Sequence, residues 1–155
     1  MSYQIKGLDP APFRAFFGQS DADLAAQHIT RITVDEFPGY PDRVSLMSIP
    51  KGDTALLLNY EHLPVNSPYR ARHAIFVHEG ADTPGNFKDE LPPILLRSPL
   101  SLRGIDTAGN IQDATLVQGD AVEPAVLEMF ETPEVAYIHA HFAARGCFAA
   151  RIDRR

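Results

Sequence analysis

Thirteen prolines in 155 residues constrain this chain more than any other feature. Proline inside a helix removes a hydrogen bond and clashes with the preceding turn. In a sheet it is confined to edges and strand ends. Here Pro38, Pro41, Pro50, Pro64, Pro68, Pro84, Pro92, Pro93 and Pro99 fall at element boundaries, between short apolar runs. With ten glycines, they mark many rigid loop junctions and argue against a bundle of long helices.

The runs between these breaks read as short elements. Residues 9–17 read as a helix, with Asp9 as N-cap, Pro10 at N1, and Phe13, Phe16 and Phe17 on one face. A second helix starts at Ser20 with Asp23 at its N3 position and runs to about His28. Ile29 to Glu36 reads as a strand. Val44 to Ile49 and Thr54 to Tyr60 read as a hairpin joined by Lys51-Gly52-Asp53, and His73 to His78 as a further strand. Gly80 to Pro93 is a polar excursion expected to be mobile. Leu100 to Asp106 and Ile111 to Gln118 flank a turn at Thr107 to Asn110. A helix from Asp120 or Glu123 places Val122, Val126, Met129 and Phe130 on one face. Val135 to Phe142 and Cys147 to Ile152 form a terminal hairpin. The expected fold is α+β, one compact domain over residues 1–155. It has a mixed or mostly antiparallel sheet, two or three short helices and a C-terminal β-hairpin.

Bulk properties exclude several functions. A net charge of −6 argues against nucleic acid, which is held by Lys and Arg. The longest apolar runs fall far short of the roughly 20 residues of a membrane helix. The N-terminus lacks the apolar region of a signal peptide, so a cytoplasmic location is expected. The single Cys forms no internal disulfide and excludes multi-Cys metal sites.

Chemistry concentrates in the terminal hairpin. Strand periodicity places Ala136, Ile138, Ala140 and Phe142 on a core face, and Val135, Tyr137, His139 and His141 on the other. That second face is polar enough to line a cleft. Arg145 and Cys147 follow at the turn. Three readings compete. A His-x-His pair points two imidazoles one way, but a metal needs a third ligand. Glu61, His62, His73 and His78 are candidates that no spacing rule separates, so no metal site is assigned. A Cys–His site would use Cys147 as nucleophile or redox group, activated by Arg145 and His139, with His139 as general acid/base. The bland reading makes Cys147 a buried small hydrophobe and the imidazoles satisfied sheet residues.

A second polar cluster, Asn59-Tyr60-Glu61-His62 with Tyr69-Arg70-Ala71-Arg72, sits at strand ends, where sites concentrate. Arg70 and Arg72 suit a carboxylate or phosphate. Glu61 suits a catalytic base or an ion pair with Arg. Arg97 and Arg103 are additional anion contacts with weaker support. Tyr3 to Asp9, Leu57 to His62 with Ser67 to Arg72, and Tyr137 to His141 with Arg145 to Phe148 together resemble the bacterial family catalogued as domain of unknown function 1203. The resemblance implies a compact stand-alone protein and carries over no catalytic residue. It does group the Asn59–His62, Tyr69–Arg72 and His139–Cys147 stretches into one expected site.

The expectation is thus a small protein that binds, or acts on, a small anionic metabolite. Its expected catalytic groups are His139, Cys147 and Glu61. Its ligand contacts are Asn59, Tyr60, His62, Tyr69, Arg70, Arg72, His141 and Arg145. The alternative is a non-catalytic ligand-binding or interaction module. Cofactor and oligomeric state are not specified by the residues.

Overall fold

A computed structural model describes all residues from 1 to 155. The chain begins with β1 (Tyr3–Lys6), a 3-10 helix at Ala11–Phe16, α1 (Asp21–Ala26) and β2 (Thr30–Thr33). After a long loop come β3 (Thr54–Leu63), β4 (Ala71–His78) and β5 (Asn86–Lys88). β6 (Leu100–Ile105), β7 (Ile111–Val117), α2 (Val122–Met129), β8 (Tyr137–Phe142) and β9 (Phe148–Arg154) complete it. Six strands form one sheet in the order β5-β1-β9-β8-β6-β7, and three form a second in the order β2-β3-β4. Every pairing is antiparallel. The α+β class and the terminal hairpin β8–β9 follow the sequence reading. No helix is long and apolar enough to cross a membrane.

Each sheet has its own cover. Val122, Val126 and Met129 of α2 pack on Leu100, Leu102, Ile138, Ala140 and Ile152 of the six-stranded sheet. Fully burying each such side chain stabilises by roughly 1.5–3 kcal/mol. Phe13 and Leu24, from the N-terminal helices, pack on Leu56, Leu58, Ile75 and Val77 of the three-stranded sheet. The Ser20 hydroxyl caps α1 by accepting from the Asp23 N–H at 3.1 Å. The first helix is a 3-10 turn, and the Asp9 carboxylate accepts from Ala11 N–H at its start.

Three local expectations change. Val44 to Ile49 is not a strand, and the hairpin through Lys51-Gly52-Asp53 does not form. β3 pairs with β2 and β4 instead. Val44, Leu46 and Ile49 are buried, as their apolar pattern requires. Their backbone, however, is claimed by Asp42. Its buried carboxylate accepts from Val44 N–H at 3.1 Å, Ser45 N–H at 2.8 Å and His78 N–H at 3.0 Å. Such side-chain acceptors compete with ladder hydrogen bonds, and Leu46 takes a φ of 62°. Second, Gly80 to Pro93 contains β5, which pairs with β1. Gly85 N–H donates to Val44 O at 2.8 Å, and a side chain at Gly85 would meet Ser45 O at 2.2 Å. Third, Val135 joins Ile138 and Ala140 in the large core, because it precedes the strand and does not follow its alternation.

The loop from Pro41 to Leu46 is therefore tied to β4 through Asp42, and its Arg43 and Val44 carbonyls accept from Leu8 and Gly85, next to β1 and β5. Asp42→Ala is expected to lower stability by about 3 kcal/mol, since it leaves three N–H groups without their acceptor. Urea unfolding measures this. An unchanged midpoint would show that the loop is held by something else.

Candidate functional site

The strand-ending turn between β8 and β9 sets the position of Cys147. Gly146 takes a φ of 79°, which suits glycine. A register shift between Ala140 and His141 then pairs His141 with Phe148. Cys147 emerges partly exposed on one wall of a cleft of about 670 Å³. Arg43, Arg145, His73, Leu57, Phe76 and Phe142 also line it.

Arg43 is the residue that sequence reasoning missed. It is 1% exposed, and no carboxylate lies within ion-pairing distance of it. Its Nε donates to Phe148 O at 2.7 Å, Nη1 to Pro41 O at 2.6 Å and Nη2 to Cys147 Sγ at 3.4 Å. Its guanidinium carbon lies 5.0 Å from the centre of the Phe142 ring, a cation–π distance. Burial pulls its pKa below the usual value, while Cys147 and Asp42 act in the opposite sense. A guanidinium stays protonated in proteins, so a fixed positive charge sits against the thiol. The sequence shows Arg43 as one arginine in a Pro-bounded loop, and no local pattern marks it.

His139 and His141 are 3% and 1% exposed. They do not line the cleft. The face expected to be open is instead covered by β3. His62 stacks on Phe148, with ring centres 5.4 Å apart and planes at 10°. His62 lies 4.9 Å from His141 and 6.0 Å from His139, centre to centre. Tyr60 touches the same cluster through Phe148 at 6.3 Å and reaches Phe13 at 6.0 Å. An aromatic row thus joins the N-terminal helix to β9. Burial holds all three imidazoles neutral. His62 is lowered to about 4, with Arg103 and His73 adding to the effect. His141 is lowered to about 3 and His139 to about 2, mainly by burial. His141 Nδ1 lies 2.9 Å from Gly146 O. A carbonyl accepts, so Nδ1 carries the proton. No group of three or more His, Cys, Asp or Glu side chains is placed to hold a metal ion.

The other expected residues lie along β3, β4 and their connecting turn. Glu61 pairs with Arg70 at 2.8 Å, and the Arg72 Nε–H donates to Asn59 Oδ1. Tyr69 is exposed, with its backbone N–H donating to the Ser67 hydroxyl at 3.0 Å. None of these five lines the cleft. The structure therefore brings together Cys147 and Arg145 in the cleft, and His62, His139, His141 and Tyr60 in the adjoining sheet interface. Asn59, Glu61, Tyr69, Arg70 and Arg72 form a separate polar edge. Cys147 and the imidazole cluster are linked by the β8–β9 turn.

A family model described as "Protein of unknown function (DUF1203)" matches residues 39–154. The match contains the cleft's Arg43, Arg145 and Cys147 and all three clustered histidines. No curated protein and no solved structure matches the chain.

The neutral imidazoles give a direct test of this packing. An unfolded histidine titrates near 6.5. Below that pH the unfolded chain takes up protons that the folded cluster refuses, so stability falls as pH falls. The loss begins near pH 6.5 and continues down to each folded value, the highest being about 4 for His62. Each histidine contributes a slope approaching about 1.4 kcal/mol per pH unit. Asp89 and Asp106, held below their ordinary values by hydrogen bonds, act only at lower pH. Urea midpoints between pH 7.5 and 4.5 are expected to drop steadily. A flat profile would contradict the buried neutral cluster.

Proposed function

This chain belongs to the family described as Protein of unknown function (DUF1203), and we propose that it binds a small anionic molecule in the Cys147 cleft and acts on it through the thiol. One observation carries this reading. Arg43 and Arg145 both line the cleft without a carboxylate partner. None of the residues lining it is Asp or Glu, in a chain with 20 acidic residues and a net charge of −6. The positive charge on this wall is left for a ligand.

A guanidinium has five N–H donors. Three of Arg43's are used by Phe148 O, Pro41 O and Cys147 Sγ. Two remain for an anion, and the planar fork suits a carboxylate or phosphate. Arg145 adds a mobile second charge from the turn. Leu57, Ile75, Phe76 and Phe142 provide an apolar wall for the rest of the molecule, the usual composition of a small-molecule site. Arg43 sets a positive charge beside the sulfur, as a nucleophilic thiol requires. His73 is the imidazole that lines this cleft. Its Nδ1 donates to Ala74 O at 2.9 Å. In this proposal His73, which lines the cleft together with Cys147, takes the general-base role foreseen for His139. His139, His141 and His62 hold the wall behind the turn, and Glu61 holds Arg70. A reduced lone thiol fits a cytoplasmic protein. In a binding protein without chemistry, the same arginines would act and Cys147 would be inert.

Alkylation separates these outcomes, because the chain has one Cys and mass spectrometry reads a single site. A free thiolate repels the carboxylate of iodoacetate and favours neutral iodoacetamide. In this cleft iodoacetate is expected to react faster, on the order of tenfold. Arg145→Gln is expected to reduce the preference. A thiol inert to both reagents, with saturable anion binding retained, would favour the binding protein. Preference for iodoacetamide in the wild-type chain would overturn the anion-binding reading.

A further inference from the structure

The cleft has a neighbour. A second hollow of about 290 Å³ opens beside it, and the two share Gly39, Pro41, Ser98 and Phe142 as common wall. Arg97, Ser48 and Ile94 belong to the second hollow alone. Arg97 makes no side-chain hydrogen bond and no ion pair, although several other arginines of the chain do. Arg31, Arg70, Arg151 and Arg155 each face a carboxylate. The second hollow, like the first, has no acidic residue in its lining. Three arginines without acid partners therefore line two adjacent hollows, Arg43 and Arg145 in the one beside the thiol and Arg97 in the other. Between them the shared wall presents Gly39, Pro41, the Phe142 ring and one hydroxyl, that of Ser98, with no charged group.

From this arrangement we infer that the ligand is an elongated molecule with an anionic group at each end and an apolar middle. One end lies on Arg43 and Arg145 beside Cys147. The other lies on Arg97, in the hollow that Ser48 also lines. This rests on the anion-binding reading above and extends it to a second contact. A group anchored at one end gives the other a high effective concentration at its own site, provided the connecting chain matches the span. Dianions of the right length are thus selected over monoanions and over dianions too short to reach.

Calorimetric titration of the full chain tests this, with straight-chain alkane diacids of increasing length compared with monoacids of equal carbon number. One arm uses carboxylates and one uses phosphonates, which identifies the preferred end group. At one length the diacid is expected to bind about tenfold more tightly than its monoacid. Arg97→Gln is expected to remove that gain, bringing the diacid down to the affinity of its monoacid in the same variant. Arg97 is exposed and unbonded, so its replacement leaves the fold intact. Arg14→Gln carries the same change in net charge at an exposed position outside both hollows, and is expected to preserve the gain. Equal affinities at every length, or an equal loss in the Arg14 and Arg97 variants, would overturn the two-ended ligand while leaving single-anion binding in place. Binding of neither monoacids nor diacids would overturn the anion-binding reading itself.

Discussion

The buried guanidinium of Arg43 organises this molecule. Removing a charge from water is costly unless hydrogen bonds satisfy it. Here the compensation comes from Phe148 O and Pro41 O, from the thiol of Cys147, and from the face of Phe142. Those partners lie on the long loop, on β8 and at the start of β9, so the charge ties the loop to the terminal hairpin. Asp42, the preceding residue, spends its carboxylate on three backbone N–H groups. It holds the loop in shape and leaves Arg43 with no counter-ion. A positive charge is thereby placed at the junction of the two sheets, next to the only thiol of the chain.

The same junction has two chemically opposite sides. Toward the interior, His62, His139 and His141 stack with Phe148 as neutral rings, held so by burial and by the neighbouring cations. Toward the cleft, Arg43 and Arg145 have no carboxylate partner. The sequence distributes 20 acids elsewhere and keeps them off both hollows. Long-range potential from a net charge of −6 opposes an approaching anion, so the anion binding we propose rests on short-range donors in a partly desolvated cleft, where each interaction is stronger. The imidazole layer serves this arrangement by packing behind the turn that carries Cys147. Its neutrality matters, because three more positive charges there would drive the sheets apart.

How much of this was legible in the sequence depends on range along the chain. The terminal hairpin is local, and period-two alternation with a glycine turn was enough to locate it, but not to separate Arg145 and Cys147 in the cleft from His139 and His141 in the sheet interface. The α2 stripe and the Ser20 cap are local too, and both hold. Alternation does not reveal what covers a face. The His139–His141 face reads as open in the sequence and is closed by β3, which is about 80 residues earlier in the chain. Val44 to Ile49 shows the converse failure. Its burial was readable, but its backbone partners belong to a side chain, Asp42, whose role appears only in three dimensions. Arg43 was invisible for the same reason: its contacts lie at Pro41, on one side, and at Cys147 and Phe148, more than a hundred residues away.

The central claim is that Arg43 and Arg145 form one anion site at Cys147. An NMR titration of the arginine Nε–H resonances with methylphosphonate addresses it residue by residue. The Nε–H of Arg43 is buried and bonded to Phe148 O, so its signal is protected from exchange. The expected result is saturable shifts of Arg43 and Arg145 with a common affinity, while Arg14 and the carboxylate-paired Arg31 stay in place. Shifts spread evenly over the exposed arginines, or none at Arg43 and Arg145, would contradict it.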